Sequence, residues 1–297
     1  MPPLADWEEY IANAGGMEEY PEAKIKVVGV GGGGSNALNR MMESEMQGVE
    51  FWIVNTNAQA LSMSSLPPTN RLQIGQKLTR GLGAGGNLET GQSATEESMG
   101  IVEEAMRGAD MAGMGGGTGS GAAPIIAGTA KQLGILTVGI VTMPFRFEGR
   151  RHSVQAQEAI AALRNNVDTM ITIPNDKLLT AVTQSTPVKE AFNLADNILR
   201  QGVRGISDII TVQGLVNVDF ADVRAIMANA GSSLMGIGTA TAAEVIYELV
   251  DPNANLIFGA VVDDSLHDQI SITLIATGFQ PQEESDLPNL KVIVNGQ

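Results

Sequence analysis

Nine consecutive residues, GMGGGTGSG at 113–121, hold six glycines, no charge and one bulky side chain, Met114. Such a run adds almost nothing to a hydrophobic core. Glycine admits positive φ and lets a ligand come against the backbone. The residues that follow, AAPIIAGTAKQ at 122–132, read as a helix with Pro124 in its first turn. Exposed amides leading into a helix N-terminus form an anion cradle. The run therefore predicts a phosphate-binding loop. The plain alternative, a flexible linker, fits poorly between two apolar blocks of helix- and strand-forming residues.

At 297 residues, 43% of them hydrophobic, the chain suits one large or two ordinary domains with a real core. A formal charge of −15 disfavours a nucleic-acid partner. Cysteine is absent, and His152 and His267 stand far apart, so neither a thiolate nor a zinc site is expected. No apolar run has the length of a membrane span, which argues against direct membrane insertion. Residues 1–23 read as an acidic, partly disordered arm, without the apolar region of a signal peptide or the Arg- and Ser-rich character of a transit peptide.

A strand over 25–30 leads to a glycine turn over 31–36 and a helix over 37–46. Gly29, Gly31 and Gly34 fit G-x-G-x-x-G, which invites a dinucleotide reading. A second strand over 49–54 ends in Asn55, Thr56 and Asn57. A Rossmann site would need an acid there for the ribose, and its absence counts against NAD. A short strand over 72–74, a glycine-rich loop over 79–87 and an amphipathic helix over 95–107 follow, with Glu96, Glu97, Glu103 and Glu104 on its outer face. Only Met111 and Ala112 separate Asp110 from Gly113, which leaves no buried strand ahead of the phosphate loop.

Residues 135–142 form a continuous apolar run, the mark of a buried parallel strand. A helix over 154–164, a strand over 169–173 and a long helix over 188–202 come next. On that long helix Phe192 and Asp196 share a face. A ring and a carboxylate together suit guanine, whose N1–H and amine a carboxylate accepts and adenine cannot match; ordinary core packing of Phe192 is the alternative. Asp219 and Asp222 stand three apart after Asn217. They could orient a water against a phosphate and hold a cation's waters, or simply cap and flank a helix start. A helix over 242–250, strands over 255–262 and 269–278, and a polar tail complete the chain.

The run GGGTGSG, with these stretches in this order, resembles the signature of the tubulin/FtsZ family. From about 25 to 279 the chain is similar to FtsZ of the plastid and cyanobacterial kind. The resemblance implies that Gly32, Gly33, Gly34 and Ser35 line the phosphates and that Asn36 approaches the base or ribose. It gives Gly115, Gly116, Gly117, Thr118 and Gly119 to the phosphates. Glu148 falls to the ribose, Asn175 faces the nucleotide, and Phe192 and Asp196 form the base site. The loop over 79–87 would sense the γ-phosphate, with Leu88 where the family has proline. His152 stands where the family has a nucleotide-contacting arginine, and Arg150 or Arg151 could substitute. Asn217, Asp219 and Asp222 would be the catalytic loop that completes the next subunit's site. Relative to the family, a short strand before Gly113 and several dozen residues after Thr241 are missing.

The implied fold is α/β with a doubly wound, mainly parallel sheet. A GTP-binding domain would cover 24–187, a core helix 188–205, a truncated α+β domain 206–279, and a disordered tail 280–297. The implied protein binds GTP and GDP, with Mg2+ accompanying the nucleotide. It hydrolyses GTP when self-assembled head to tail into the filament of a plastid or bacterial division ring. Related division-ring subunits are implied partners. The implied location is the chloroplast stroma, or else the bacterial cytoplasm. The missing segments and His152 leave a polymer subunit with impaired hydrolysis as the alternative.

Overall fold

The computed structural model describes residues 23–42, 46, 48–115, 119–179, 187–211, 218–240 and 270–279. Its frame is one eight-stranded sheet in the order β3-β2-β1-β4-β5-β6-β7-β8. The strands are β1 (Ile25–Val30), β2 (Val49–Asn55), β3 (Arg71–Gln73), β4 (Met111–Gly115), β5 (Leu136–Met143), β6 (Thr169–Pro174), β7 (Gly231–Ala240) and β8 (Ile270–Phe279). The first seven pair in parallel and β8 runs antiparallel to β7. All seven carboxyl ends therefore lie on one edge of the sheet and all amino ends on the other.

Seven helices of eight or more residues occur among the described residues: α1 (Gly31–Met42), α2 (Leu88–Glu97), α3 (Met99–Met106), α4 (Ala123–Gln132), α5 (Arg150–Arg164), α6 (Val188–Thr211) and α7 (Phe220–Met227). They cover both faces. Successive strand residues point to opposite sides, so β1 sends Ile25 and Val27 into one core and Val28 and Val30 into the other. The first core is closed by α1, α6 and α7 through Leu38, Met41, Leu199, Val203, Val223 and Met227. The second is closed by α3, α4 and α5 through Val102, Met106, Ile126, Ala130 and Leu163. This is the doubly wound arrangement that the apolar runs imply, and a sheet buried on both faces explains why β1 and β5 carry so few polar residues.

Three sequence expectations need correction. The missing strand before the signature exists as β4, taken from the glycine run itself: Gly113 pairs with Val27 and Val138, and Gly115 with Gly29. Glycine is a poor strand former. A gap between β1 and β5 would, however, orphan two central rows of backbone donors and acceptors. Asp110 N gives to Lys24 O at 2.9 Å and Leu136 N to Asp110 O at 3.0 Å, so the pairing begins before the glycines. Second, Gly31 to Asn36 are the first turns of α1, not a turn ahead of it. A Cβ at Gly29 would lie 2.5 Å from Gly34 O, so the G-x-G-x-x-G spacing serves close helix–strand packing here. Third, the acidic helix is two helices, α2 and α3, meeting at Ser98, with Glu96, Glu97 and Glu104 exposed and Glu103 half-buried. The residues after Thr241, through the helix and strand expected over 242–250 and 255–262, lie outside the described residues, as do residues 1–22 of the arm and the tail.

Candidate nucleotide site

The site assembles where β1, β4, β5 and β6 end. Val30 passes into Gly31, whose φ of 73° starts α1. Ser35, buried in the first turns, donates from Oγ to Gly31 O at 2.6 Å and accepts from Asn55 Nδ2 at 3.3 Å. Its hydroxyl thus fixes the helix start to the end of β2. Gly32 and Gly33 are less buried, and Asn36 is exposed.

The loop over 79–87 follows a left-handed path through Arg80, Gly81, Gly83, Gly85 and Gly86. A Cβ added at Gly85 or Gly86 would meet nothing within 4 Å, and Gly86 O accepts from Gln155 Nε2 at 3.4 Å. Asn87 then caps α2, its Oδ1 accepting from Glu89 N at 2.9 Å and Thr90 N at 3.3 Å. Leu88 is the first residue of that helix, where the amide has no partner within the helix in any case. Leucine in place of the family's proline is therefore a small change.

After β4 the signature continues through 116–118, so Gly116, Gly117 and Thr118 lie outside the described residues, and Gly115 belongs to the strand. Gly119 and Gly121 are seated against other backbone. A Cβ at Gly119 would meet Val30 O at 2.7 Å, and one at Gly121 would meet Leu88 O at 2.0 Å. The two loops and the start of α4 thus form one packed unit, with the N-terminal amides of α4 at the carboxyl edge.

The side to which the sequence assigned the base and ribose is built by β5, β6 and α6. A 3-10 turn, Arg146–Glu148, follows β5. Glu148 Oε1 accepts from Phe145 N at 2.8 Å, which orients the carboxylate while leaving it further acceptor sites for a ribose hydroxyl. Arg146 is tied to Asp176 at 3.1 Å. Asn175, at the end of β6, is 4% exposed. Its Oδ1 has no hydrogen-bond partner. An orphaned buried amide oxygen is costly unless something binds it, and it marks where a ligand donor fits. Beside it a crevice of about 440 Å3 opens between Arg146, Phe147, Asp176, Lys177 and Leu179. His152 is exposed in the first turn of α5.

Phe192 lies edge-on to Phe145 at 5.5 Å and to Phe147 at 6.0 Å, and is 39% exposed. The ring is braced by two perpendicular aromatic neighbours and stays partly open to a further ring. Asp196, one turn on, is paired with Arg40 of α1. Burial raises its pKa, and Arg40 opposes that rise through charge and hydrogen bonding. Arg40 was not legible as a site residue, because its partner lies 156 positions away. The available hint is its place four residues after Asn36, on the same helix face.

Asp219 and Asp222 are elsewhere. The helix α6 begins beside Phe145, just beyond β5, and ends with Thr211 against Gly48, just before β2. Its 24 residues span about 36 Å, from the carboxyl edge to the amino edge. At that second edge lies α7, tied to the start of β6 by Thr169 Oγ1 giving to Met227 O at 2.6 Å. Asp219 caps α7, accepting from Ala221 N at 3.3 Å, and Asp222 follows in its first turn; both are exposed. Capping, one of the two local readings, is thus seen. Asn217 lies outside the described residues. The glycines of α1, Gly119, Glu148, Asn175, Phe192 and Asp196 are brought to one edge, and the acidic pair is held at the opposite one. Among the described residues no three His, Asp or Glu side chains cluster as a metal site.

A family model described as Tubulin/FtsZ family, GTPase domain, matches residues 24–183, and one described as FtsZ family, C-terminal domain, matches residues 206–280. Among solved structures, an empty FtsZ dimer from M. jannaschii is 33% identical, with a TM-score of 0.80, covering 94% of this chain and 93% of that one. CetZ2 from Haloferax volcanii, a GTPγS-bound protofilament, is 22% identical with a TM-score of 0.63, covering 74% of this chain and 67% of that one; at that identity it speaks for the fold alone.

Proposed function

This chain belongs to the Tubulin/FtsZ family of GTPases, and from that premise we propose that it binds GTP at the carboxyl edge and hydrolyses it only when a second copy supplies Asp219 and Asp222. The observation that carries this reading is the separation of the two groups of residues by the length of α6. No single subunit can bring the acidic pair to its own phosphates. A head-to-tail contact, the heterologous kind that extends without closing, brings the amino edge of one copy onto the carboxyl edge of the next. The similar M. jannaschii FtsZ is itself named as a dimer, which supports self-association.

Within the bound edge, the amides of α1 and α4 face the phosphates and the helix N-termini favour their charge. Phe192 gives a stacking surface, and Asp196 reads guanine. Asn175 offers its orphaned oxygen to the nucleotide, and Glu148 accepts from the ribose. Mg2+ accompanying the nucleotide would supply charge neutralisation at the phosphates. From the neighbour, Asp219 or Asp222 places and polarises the attacking water.

The filament so formed belongs to the division ring of a plastid, in the stroma, or of a bacterial cell, with related ring subunits as co-polymers. A second reading, binding and polymerisation with weak turnover, is favoured by the drawing of Gly113 to Gly115 into β4, which shortens the phosphate loop. Sedimentation with GTP, ATP and no nucleotide tests the proposal: polymer is expected with GTP alone. Equal sedimentation in all three would overturn it, and GTP-dependent polymer without phosphate release would select the second reading.

A further inference from the structure

We infer that Lys131 and Arg224 are positioning residues for the acidic pair: they bolt α7 to the carboxyl end of α4 and so set the aim of Asp219 and Asp222 toward the next subunit. The inference rests on the split site proposed above. Lys131 stands in the last turn of α4. Its Nζ donates to Asn229 Oδ1 at 3.0 Å and to Val167 O at 3.2 Å, and lies 3.3 Å from Asp168 Oδ1. Asp168 is buried, and it also accepts from Thr137 N at 2.9 Å and from Asn229 N at 3.3 Å. Asn229 holds a left-handed φ of 54° in the turn from α7 to β7.

Arg224 makes the second tie. Its Nη2 donates to Gly134 O at 2.6 Å, in the turn that closes α4. Cations are favoured at a helix carboxyl end, and charge-assisted bonds are the strong ones. One tie lies within α7, two residues after Asp222, and the other just past its last turn. Together they leave the helix little freedom to swing. Both lie a helix length from the nucleotide: the ten residues of α4 span about 15 Å, and Gly119 sits at its far end. Without Lys131, the Asp168 carboxylate keeps its buried place and loses its cation, so the turn at Asn229 is the part that shifts.

Mixing experiments separate this role from a merely structural one. Three variants are used: Lys131→Met, Asp222→Ala, and Gly33→Trp, which puts an indole on the exposed first turn of α1 to block nucleotide. GTP affinity, co-sedimentation and turnover at saturating GTP are measured for each alone and for each pair. Lys131→Met is expected to bind GTP as the unmodified chain does, to co-sediment, and to turn over about tenfold or more slowly, since small misplacements of reacting groups cost that much. Lys131→Arg should restore most of the rate. Lys131→Met mixed with Gly33→Trp should recover turnover, because intact acidic pairs then meet bound GTP. Mixed with Asp222→Ala it should not, because both carry the same kind of lesion.

Recovery in that last mixture would put the lesion in Lys131's own nucleotide site and overturn the inference. So would recovery with Gly33→Trp by Asp222→Ala but not by Lys131→Met. If Asp222→Ala itself fails to recover with Gly33→Trp although the two co-sediment, the split site falls and the inference falls with it. Should Lys131→Met not fold, Arg224→Gln carries the same expectations.

Discussion

Asp196 is the residue whose environment says most about selectivity. Reading guanine as proposed needs it ionised, yet burial pushes its pKa up while Arg40 pulls against the rise. The folded-state value lies above that of the unfolded chain. The fold therefore favours protonated Asp196, and the ionised group costs stability once pH has risen past the raised value. Selectivity runs the other way and is lost as pH falls through that value. The preference for GTP over ATP, measured by equilibrium binding from pH 7.5 downward, is expected to decline before ordinary carboxylates titrate and to be small and flat in Asp196→Asn. A preference unchanged across that range would remove Asp196 from the base site. Gly121 offers a sharper steric test. A Cβ there would stand 2.0 Å from Leu88 O and 3.0 Å from Gln92 N, both backbone atoms that cannot turn aside. Gly121→Ala is expected to cost about 1–3 kcal/mol or more, read as a fall in Tm of several degrees together with weaker GTP binding. Gly85→Ala, in open space, should cost only its left-handed φ, about 1 kcal/mol. Equal effects would show that the two loops do not pack as described.

At the scale of elements, what could be read ahead of the structure was what depends on local pattern. The apolar runs of β1, β2, β5 and β6 announce buried strands because each is packed on both faces. The strand β4 could not be read, since nothing in MAGMG, with its two glycines, favours a strand. The ladders of β1 and β5 on either side impose it. The strand β7, GSSLMGIGTA, is hidden for the same reason and is held by β6 and β8. The long helix runs on to Thr211, past Gly202 and Gly205, because Val203 and Ile206 keep its buried stripe in register with the core. The pairing of β4 has a direct test in native-state hydrogen exchange. Amides of Ala112 to Gly115 should be protected to a degree comparable with those of Val27 and Val28. Exchange as fast as that of the loop at Gly85 and Gly86 would show that the glycines form no strand.

At the scale of the whole molecule, most of the described residues that the sequence assigned to the nucleotide lie at one edge of the sheet. Phe192 and Asp196 showed their shared face through helical spacing. Long-range partners stayed out of sight: Arg40 to Asp196, Lys131 to Asp168 and Arg224 to Gly134 are contacts made only once the sheet is closed. The distance between the two functional edges is likewise a property of the fold, set by how far α6 runs. It implies that an isolated subunit holding GTP lacks the carboxylates that would place and polarise the attacking water. Asp222→Ala should therefore keep GTP affinity and polymerisation and lose most turnover, whereas the Asp196 variants should lose binding first. Phosphate release per subunit, measured at saturating GTP and Mg2+ against protein concentration, addresses the split site most directly. Turnover near zero at low concentration, rising steeply once polymer forms, is the result expected; turnover per subunit that stays constant from monomer to polymer would contradict it.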